Sequence, residues 1–185
     1  MQNKLKIIGG TWRSRTLKIV EVPGLRPTPQ RVRETVFNWL RDDIYASRCL
    51  DLYAGSGALG FEAASRGAAV VVAVDSNLLA CKAIKENAEL LNASQLTIIT
   101  SDVLSFLATR PQVFDVVFID PPFALNLVVP TCQWLEDKGW LERHAKIYVE
   151  SQSTVHNLEK LPENWRQLKD KTAGEVRYQL FERNA

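Results

Sequence analysis

The stretch "DLYAGSGALG" (Asp51–Gly60) decides the fold, because it follows a strand-forming run and leads into a helical pattern. Its glycines, Gly55, Gly57 and Gly60, have the spacing G-x-G-x-x-G. Glycine at such a turn permits a tight bend and lets a ligand approach the backbone closely. The pattern therefore predicts a ligand-binding loop between a strand and the helix that follows it. On its own it fits dinucleotide-binding enzymes equally well.

On both sides of this loop the chain alternates between two kinds of pattern. Strand-like runs occur at "RCLDLY", "AAVVVAVD", "LTIIT", "FDVVFID" and "AKIYVES". Helical patterns begin between them, near Ala58, Asn77, Asp102 and Asn126. The tail, "WRQLKDKTAGEVRYQLFER", indicates two strands that turn around Gly174. This order predicts an α/β protein with a doubly wound, mostly parallel sheet and an antiparallel C-terminal hairpin.

Residues 1–44 are predicted to form a short basic extension on the sheet domain, which covers residues 45–185. The extension begins as a hairpin, with "LKII", a turn at Gly9-Gly10, and "TWRSRTLKIV". Arg13 and Arg15 are two residues apart, so on a strand they share one face. A proline-rich loop follows, and then a helix over "QRVRETVFNWL". The apolar positions of this helix are Val32, Val36, Trp39 and Leu40.

Charge is unevenly distributed along the chain. The formal net charge is +2, but residues 1–33 hold eight basic residues and one acid, and the remainder has a net charge of −5. A basic front on an acidic body predicts a polyanionic partner, and the alternative is a solvated basic surface. Arg31 and Arg33 place positive charge in the first turn of the predicted helix, which the helix dipole disfavours unless an anion is near.

The remaining composition bears on the location of the protein and on metal binding. No apolar run approaches the roughly 18–20 residues that span a bilayer, and the N-terminus has no signal-peptide core. We therefore expect a cytoplasmic protein with no membrane partner. The three cysteines and two histidines lack the close spacing of metal motifs, so no metal is expected.

Acids at the predicted strand ends indicate the ligand. Asp51 precedes the glycine loop, where a carboxylate would repel a pyrophosphate and attract an ammonium group. Asp75 ends the second strand and suits hydrogen bonding to ribose hydroxyls. Asp102 follows the third strand, where it can meet an adenine amino group or serve as a helix N-cap. A cation, a ribose diol and an adenine without phosphates together predict S-adenosylmethionine.

The fourth strand end, in "FDVVFIDPPFAL" (Phe114–Leu125), has residues suited to methyl transfer. Proline stops the strand and stiffens the corner. Asp120 and the carbonyl of Pro121 can accept the N–H groups of an exocyclic amine, which turns its lone pair toward the methyl group. Phe123 can stack on the base, or it can simply pack in the core. We therefore expect that orientation of the amine at this corner supplies most of the rate acceleration of methyl transfer.

Four stretches together resemble a known family: "IIGGTWRSRTL", "GLRPTPQRVRETVFNWL", "AGSGALGFEAASRGA" and "FIDPPF". They closely resemble the bacterial small-subunit ribosomal RNA guanine-N2 methyltransferases of the RsmD type, from about Ile7 to Arg183. The resemblance implies a Rossmann-like S-adenosylmethionine-dependent methyltransferase fold with a reversed last strand. It also implies transfer to the N2 amine of one guanine in 16S ribosomal RNA, within the assembled or assembling small subunit.

The resemblance also implies roles for particular residues. The donor site is expected to contain Asp51, Gly55, Gly57, Asp75, Asp102 and Thr28. The amine site is expected to contain Asp120, Pro121, Pro122 and Phe123. The residues expected at the RNA are Arg13, Arg15, Arg26, Arg31 and Arg33. Which of the front residues contact RNA and which contact the donor is left open by the sequence.

Three other functions use parts of the same pattern. A DNA adenine-N6 methyltransferase shares the amine chemistry but usually needs an added region that reads base edges, for which this chain has no spare segment. A nicotinamide-dependent oxidoreductase shares the glycines but does not explain Asp51 or "DPPF". A non-catalytic RNA-binding or assembly protein does not explain an intact set of strand-end residues.

Overall fold

The computed structural model describes residues 4–20, 27–154 and 160–184. The strands in these ranges are β1 (Lys4–Lys6), β2 (Thr16–Lys18), β3 (Arg48–Leu52), β4 (Val70–Asp75), β5 (Leu96–Thr100), β6 (Phe114–Ile119), β7 (Leu141–Gln152), β8 (Trp165–Ala173) and β9 (Val176–Arg183). The helices are α1 (Gln30–Trp39), α2 (Ala58–Ser65), α3 (Leu78–Leu91), α4 (Val103–Leu107) and α5 (Val128–Asp137), with a 3₁₀ turn at Phe123–Leu125. Arg26 lies outside the described residues.

Within the described residues, seven strands form one sheet in the order β5-β4-β3-β6-β7-β9-β8. The strands from β5 to β7 are parallel, whereas β9 runs antiparallel to both β7 and β8. The predicted α/β fold with an antiparallel C-terminal hairpin is therefore confirmed. Side chains of α1, α2 and α3 pack on one face of the sheet, and those of α4 and α5 pack on the other.

The order of the strands reverses between β3 and β6. From β3 the chain proceeds outward to β4 and β5, and then returns to place β6 on the other side of β3. The two strands pair in register, with Leu52 opposite Ile119. Their carboxyl ends therefore meet at a switch point, where parallel α/β sheets bind ligands. The glycine loop after β3 and the corner after β6 lie side by side there.

The N-terminal segment belongs to the same core as the sheet. β1 and β2 pair antiparallel, and Leu5, Ile7 and Leu17 are buried with side chains of α1 and α2. The predicted hairpin is confirmed, and Gly10 begins its turn, since Arg13 N donates to Gly10 O at 3.2 Å; the turn is longer than predicted and continues to Arg15. The backbone N–H groups of Ile8 and Gly9 donate to Glu62 of α2, at 2.9 and 2.8 Å. This tertiary contact holds the glycines against the helix.

Arg13 and Arg15 also lie in a different local structure from the one expected. They belong to consecutive turns between β1 and β2, where Ser14 has a left-handed φ of 68°. The prediction that they share a strand face was therefore wrong, although both side chains are exposed. Thr11 N donates to Ser65 O at 2.7 Å, so this segment docks at the C-terminal end of α2.

The first helix follows its predicted pattern closely. Val32, Val36 and Leu40 are buried as expected, and Trp39 stacks on Tyr178 of β9 with ring centroids 5.4 Å apart. Phe37 is a further buried residue that the pattern did not single out. Among the described residues, every helix is too short or too polar to cross a membrane.

Candidate active site

Four carboxylates form a row at or near the carboxyl ends of neighbouring strands. In sheet order they are Asp75 of β4, Asp51 of β3, Asp120 directly after β6, and Glu150 of β7. Residues two apart on a strand share a face. The residues two positions before these acids, all buried beneath α1 to α3, are Ala73, Cys49, Phe118 and Tyr148. The four acids therefore lie on the same face and line one cavity of about 640 Å³.

The glycine loop is tied to the carboxylate of Asp75. Gly55 N donates to Oδ2 at 2.8 Å and Asn77 N donates to Oδ1 at 2.7 Å. Gly57 has a φ of 75° and directly precedes α2, a conformation that glycine adopts without steric cost. Each carboxylate oxygen has a second lone pair, and Asp75 borders the cavity, so hydroxyl donors can still bind there.

Asp51 is buried in the wall of the same cavity. Its side chain is 2% exposed, and Gly60 N donates to Oδ2 at 2.8 Å. Burial raises the pKa of Asp51 well above its usual value, against a lowering effect of the Gly60 bond, and nearby Asp120 and Asp75 raise it further. A Cβ at Gly60 would lie 2.9 Å from Oδ2. The third glycine of the motif is therefore required by the close approach of α2 to Asp51.

Asp102 is a helix cap that also borders the cavity. Its carboxylate accepts a hydrogen bond from Ser105 N at 2.9 Å, at the start of α4. The side chain is exposed on the cavity side. The N-cap alternative is therefore confirmed, and a contact between Asp102 and an adenine stays a prediction.

The "DPPF" corner forms the wall of the cavity beyond β6. Pro121 is buried, and Phe123 is half-buried at the start of the 3₁₀ turn. Asp120, Pro122 and Phe123 line the cavity with the glycine loop, and Phe123 lies outside both hydrophobic cores. The alternative that Phe123 simply packs in the core is therefore wrong. A planar ring remains available at the surface that a ligand would meet.

Asp120 has partners on both sides. The Thr28 hydroxyl donates to Oδ2 at 3.4 Å, and Glu150 follows Val149, which pairs with Ile119 on the neighbouring strand. Burial raises the pKa of Asp120 to about 6, although Thr28 and Glu150 lower it. At neutral pH Asp120 is therefore mainly ionised and able to accept N–H groups. Thr28 was expected among the donor-site residues. It lines the cavity, and its hydroxyl contacts Asp120 of the "DPPF" corner.

Glu150 was not identified from the sequence. It is 3% exposed, and the Tyr148 hydroxyl donates to its Oε1 at 2.7 Å. Burial, and then the charge of Asp120, raise the pKa of Glu150 well above its usual value. The strand-like run "AKIYVES" ends one residue after Glu150, so a search for acids at every predicted strand end would have found this residue.

Of the four described arginines expected at the RNA, Arg33 is buried and Arg13, Arg15 and Arg31 are exposed. Arg33 is 2% exposed: its guanidinium donates to the carbonyls of Thr28 and Lys6, at 3.2 and 3.1 Å, and lies 3.5 Å from Glu62. The expectation that Arg33 contacts RNA was therefore wrong, because its donors are occupied inside the protein. Arg31 is exposed in the first turn of α1.

Arg13 and Arg15 belong to the segment that docks at the end of α2 away from the cavity. They sit by the C-terminal end of α2, whereas the glycine loop at its N-terminal end borders the cavity. α2 has eight residues, so its two ends are about 12 Å apart. A partner that contacts both this segment and the cavity would have to extend along α2.

The cavity fits a cationic nucleoside better than a dinucleotide. Among the described residues, its lining includes six acids, with Asp102 and Glu175 besides the row of four, and no lysine, arginine or histidine. A pyrophosphate would be repelled there, which argues against the oxidoreductase alternative. Bound positive charge would lower the pKa of Asp51 and favour its ionised form. The volume lies within the roughly 300–1,000 Å³ usual for cofactor pockets, so the residues present fit S-adenosylmethionine.

The described residues hold no group of three or more histidine, cysteine, aspartate or glutamate side chains arranged to bind a metal ion. Together, the sheet order, the reversed last strand and the loop at the switch point define the class. This is the Rossmann-like fold of S-adenosylmethionine-dependent methyltransferases.

Comparison with known proteins identifies the family. The model of the family described as Conserved hypothetical protein 95 matches residues 5–182. The chain is 44% identical over 182 residues to Ribosomal RNA small subunit methyltransferase D of Escherichia coli strain K12, covering 98% of this chain and 91% of that protein. It is 43% identical over 186 residues to the protein of the same name from Haemophilus influenzae, covering 98% and 95%.

A solved structure agrees with both matches. The structure of yhhF, a candidate methyltransferase from Escherichia coli, superposes with a TM-score of 0.92 at 41% identity and covers 99% of each chain. The chain therefore belongs to the Conserved hypothetical protein 95 family, and the family resemblance drawn from its motifs is confirmed.

Proposed function

We propose that this protein transfers a methyl group from S-adenosylmethionine to the exocyclic N2 amine of a specific guanine in 16S ribosomal RNA, in the assembled or assembling small subunit. The observation that carries the proposal is the shared cavity. The loop tied to Asp75 and the corner formed by Asp120, Pro121 and Phe123 border the same space. A donor and an amine bound at these two places would be in contact.

The proposed donor site uses the loop side of the cavity. The second lone pairs of Asp75 accept the ribose hydroxyls, Asp102 lies by the adenine, and the backbone at Gly55 permits close approach. Gly57 provides the positive φ of the turn, and its Cα faces Phe61 and Ile84 instead of the cavity. Asp51 provides negative charge for the ammonium group. When bound, S-adenosylmethionine supplies an electrophilic methyl carbon and a thioether that leaves as a neutral group.

The proposed amine site uses orientation. A guanine N2 is planar and a weak nucleophile, because its lone pair is delocalised into the ring. The Asp120 carboxylate and the Pro121 carbonyl accept its two N–H groups and so direct the lone pair toward the donor, while Phe123 stacks on the base. Pro121 and Pro122 restrict the backbone that carries these groups. Asp120, with a pKa of about 6, is ionised at neutral pH and is placed to receive the surplus proton.

An RNA substrate is supported by the relatives and by the charge distribution. The Escherichia coli and Haemophilus influenzae relatives are both named Ribosomal RNA small subunit methyltransferase D. Pro27, Thr28 and Pro29 line the cavity, and the exposed Arg31 lies two residues after Pro29. A phosphate backbone that delivers a base into the cavity would pass this cation.

The experiment is labelled methyl transfer from S-adenosylmethionine to small subunits isolated from a strain that lacks this protein. We expect label in 16S ribosomal RNA, recovered as N2-methylguanine at one position by mass mapping. Naked duplex DNA is the comparison substrate. Label that appears in DNA as N6-methyladenine would instead support the DNA alternative, and transfer to neither would refute the proposal.

Asp120→Ala tests the amine site within the same assay. We expect turnover to fall by about 100- to 1,000-fold, as when one preorganised hydrogen-bonding group is lost, with donor affinity measured by calorimetry unchanged. The matched control is Asp137→Ala, an exposed aspartate at the end of α5. Near-normal turnover in Asp120→Ala would contradict the proposed orientation of the amine.

A further inference from the structure

Asp120 and Glu150 are brought together by the register of β6 and β7. Ile119 pairs with Val149 in the parallel ladder, so the next residues on the two strands are neighbours at the sheet edge. Both acids line the cavity, and each carboxyl group affects the pKa of the other. Two carboxylates in contact, away from water, cannot both carry a charge, so the pair holds one proton.

The surroundings decide which acid holds that proton. Glu150 is the more buried of the two, with Tyr148 of its own strand as its other partner. Asp120 is half-buried, faces the cavity and receives the Thr28 hydroxyl. The ionised form is therefore favoured at Asp120 and the neutral form at Glu150. The raised pKa of Glu150, well above that of a free glutamate, agrees with this assignment.

We propose that Glu150 is a positioning residue that stays protonated and donates a hydrogen bond to the Asp120 carboxylate. With Thr28 donating from the other side, two donors hold Asp120 in one orientation. The remaining lone pairs of Asp120 are thereby presented to the target amine. This inference rests on the proposed methyl transfer, because it assigns a function to the residue behind the amine site.

Other titratable groups face this pair from the elements packed around it. They are Asp51 of β3, Tyr148 of β7, Tyr178 of β9, Glu175 in the turn between β8 and β9, and Arg33 of α1 behind Thr28. The guanidinium of Arg33 is directed to carbonyls and to Glu62, so it does not neutralise the pair.

The test compares Glu150→Gln with Glu150→Ala in the subunit methylation assay. A carboxamide keeps an N–H donor for Asp120 without a charge, so we expect Glu150→Gln to retain kcat within about threefold of the wild type. Alanine removes the donor, and we expect kcat to fall by about 10- to 100-fold with KM for subunits unchanged. Glu142→Gln, an exposed acid on the same strand, is the matched control.

The pH profile supplies a readout that a merely structural role would not change. In the wild type, kcat/KM is expected to fall as pH drops through about 6, because Asp120 becomes protonated. The bond from Glu150 lowers the pKa of Asp120, so its loss in Glu150→Ala should move this acid limb to higher pH. In Glu150→Gln the limb should stay in place.

The outcomes separate this inference from the proposed function. If the wild type fails to methylate subunits, the proposed function fails. If the wild type is active but Glu150→Gln is as impaired as Glu150→Ala, Glu150 acts as a charged group and the inference is wrong. It is equally wrong if Glu150→Ala keeps normal kcat and an unshifted acid limb, or if its only defects are in thermal stability and donor affinity.

Discussion

Replacing Glu62 by alanine is expected to remove about 3–5 kcal/mol from the free energy of unfolding, the usual cost of breaking a buried ion pair from one side. The Glu62 side chain is fully buried and accepts the backbone N–H groups of Ile8 and Gly9, as well as Arg66 Nε at 2.8 Å. It also lies 3.5 Å from the buried guanidinium of Arg33. Alanine would leave that cation and two backbone donors without their acceptor.

The assay is urea unfolding of the two purified proteins, followed by fluorescence and circular dichroism. With an m-value of roughly 2 kcal/mol/M, the loss corresponds to a midpoint shift of about 2 M. Glu86→Ala, an exposed glutamate in α3, is the matched helix control and should change stability by less than about 0.5 kcal/mol. A loss in Glu62→Ala no larger than the control value would refute the idea that this carboxylate anchors the N-terminal segment.

Two further predictions concern that segment. Replacing Arg13 and Arg15 together by glutamate should weaken binding to small subunits and leave donor affinity unchanged. The slope of the logarithm of the binding constant against the logarithm of salt concentration should fall in magnitude by about 0.7–0.9 for each lost phosphate contact. An unaltered slope would remove this turn from the RNA contact. Gly10→Ala should destabilise the fold by about 1–3 kcal/mol more than Gly139→Ala in thermal unfolding. Both glycines have positive φ, but a Cβ at Gly10 would lie 1.8 Å from a backbone carbonyl and one at Gly139 would meet nothing within 4 Å; equal losses would contradict the steric argument.

The parallel sheet could be predicted because each strand and its end are specified by residues that are adjacent in the sequence. Each of β3 to β6 is a short run rich in apolar residues, and each is followed within a few residues by a glycine loop, a helix N-cap or a proline. Asp51, Asp75 and Asp120 follow from the same reasoning, since any acid at a strand's carboxyl end must lie at the ligand edge of a parallel sheet. The Asp102 cap likewise depends on the residues directly after it.

Features that depend on pairing between distant segments were not predictable in this way. Gly9 and Gly10 were predicted to form the whole hairpin turn, but the turn continues to Arg15, and the N–H groups of Ile8 and Gly9 are held by a glutamate of α2 more than fifty residues away. Arg33 lies in a basic run that suggests a surface, yet the same glutamate and two carbonyls draw it inside. The sequence gives the charge of a residue but does not show which distant residue it will contact in the fold.

Glu150 shows the same limit at the site itself. The residues that precede it, Ile147, Tyr148 and Val149, are apolar or aromatic, and they predict an ordinary buried strand. Its chemical character arises only when β7 pairs with β6 and places it beside Asp120. A carboxyl group that would be ionised in isolation then becomes a hydrogen-bond donor, because the low-dielectric pair can hold only one negative charge. The orientation proposed for the target amine therefore depends on a contact between strands, and substitutions that shift the register of β7 should impair methyl transfer while leaving every residue of the "DPPF" corner in place.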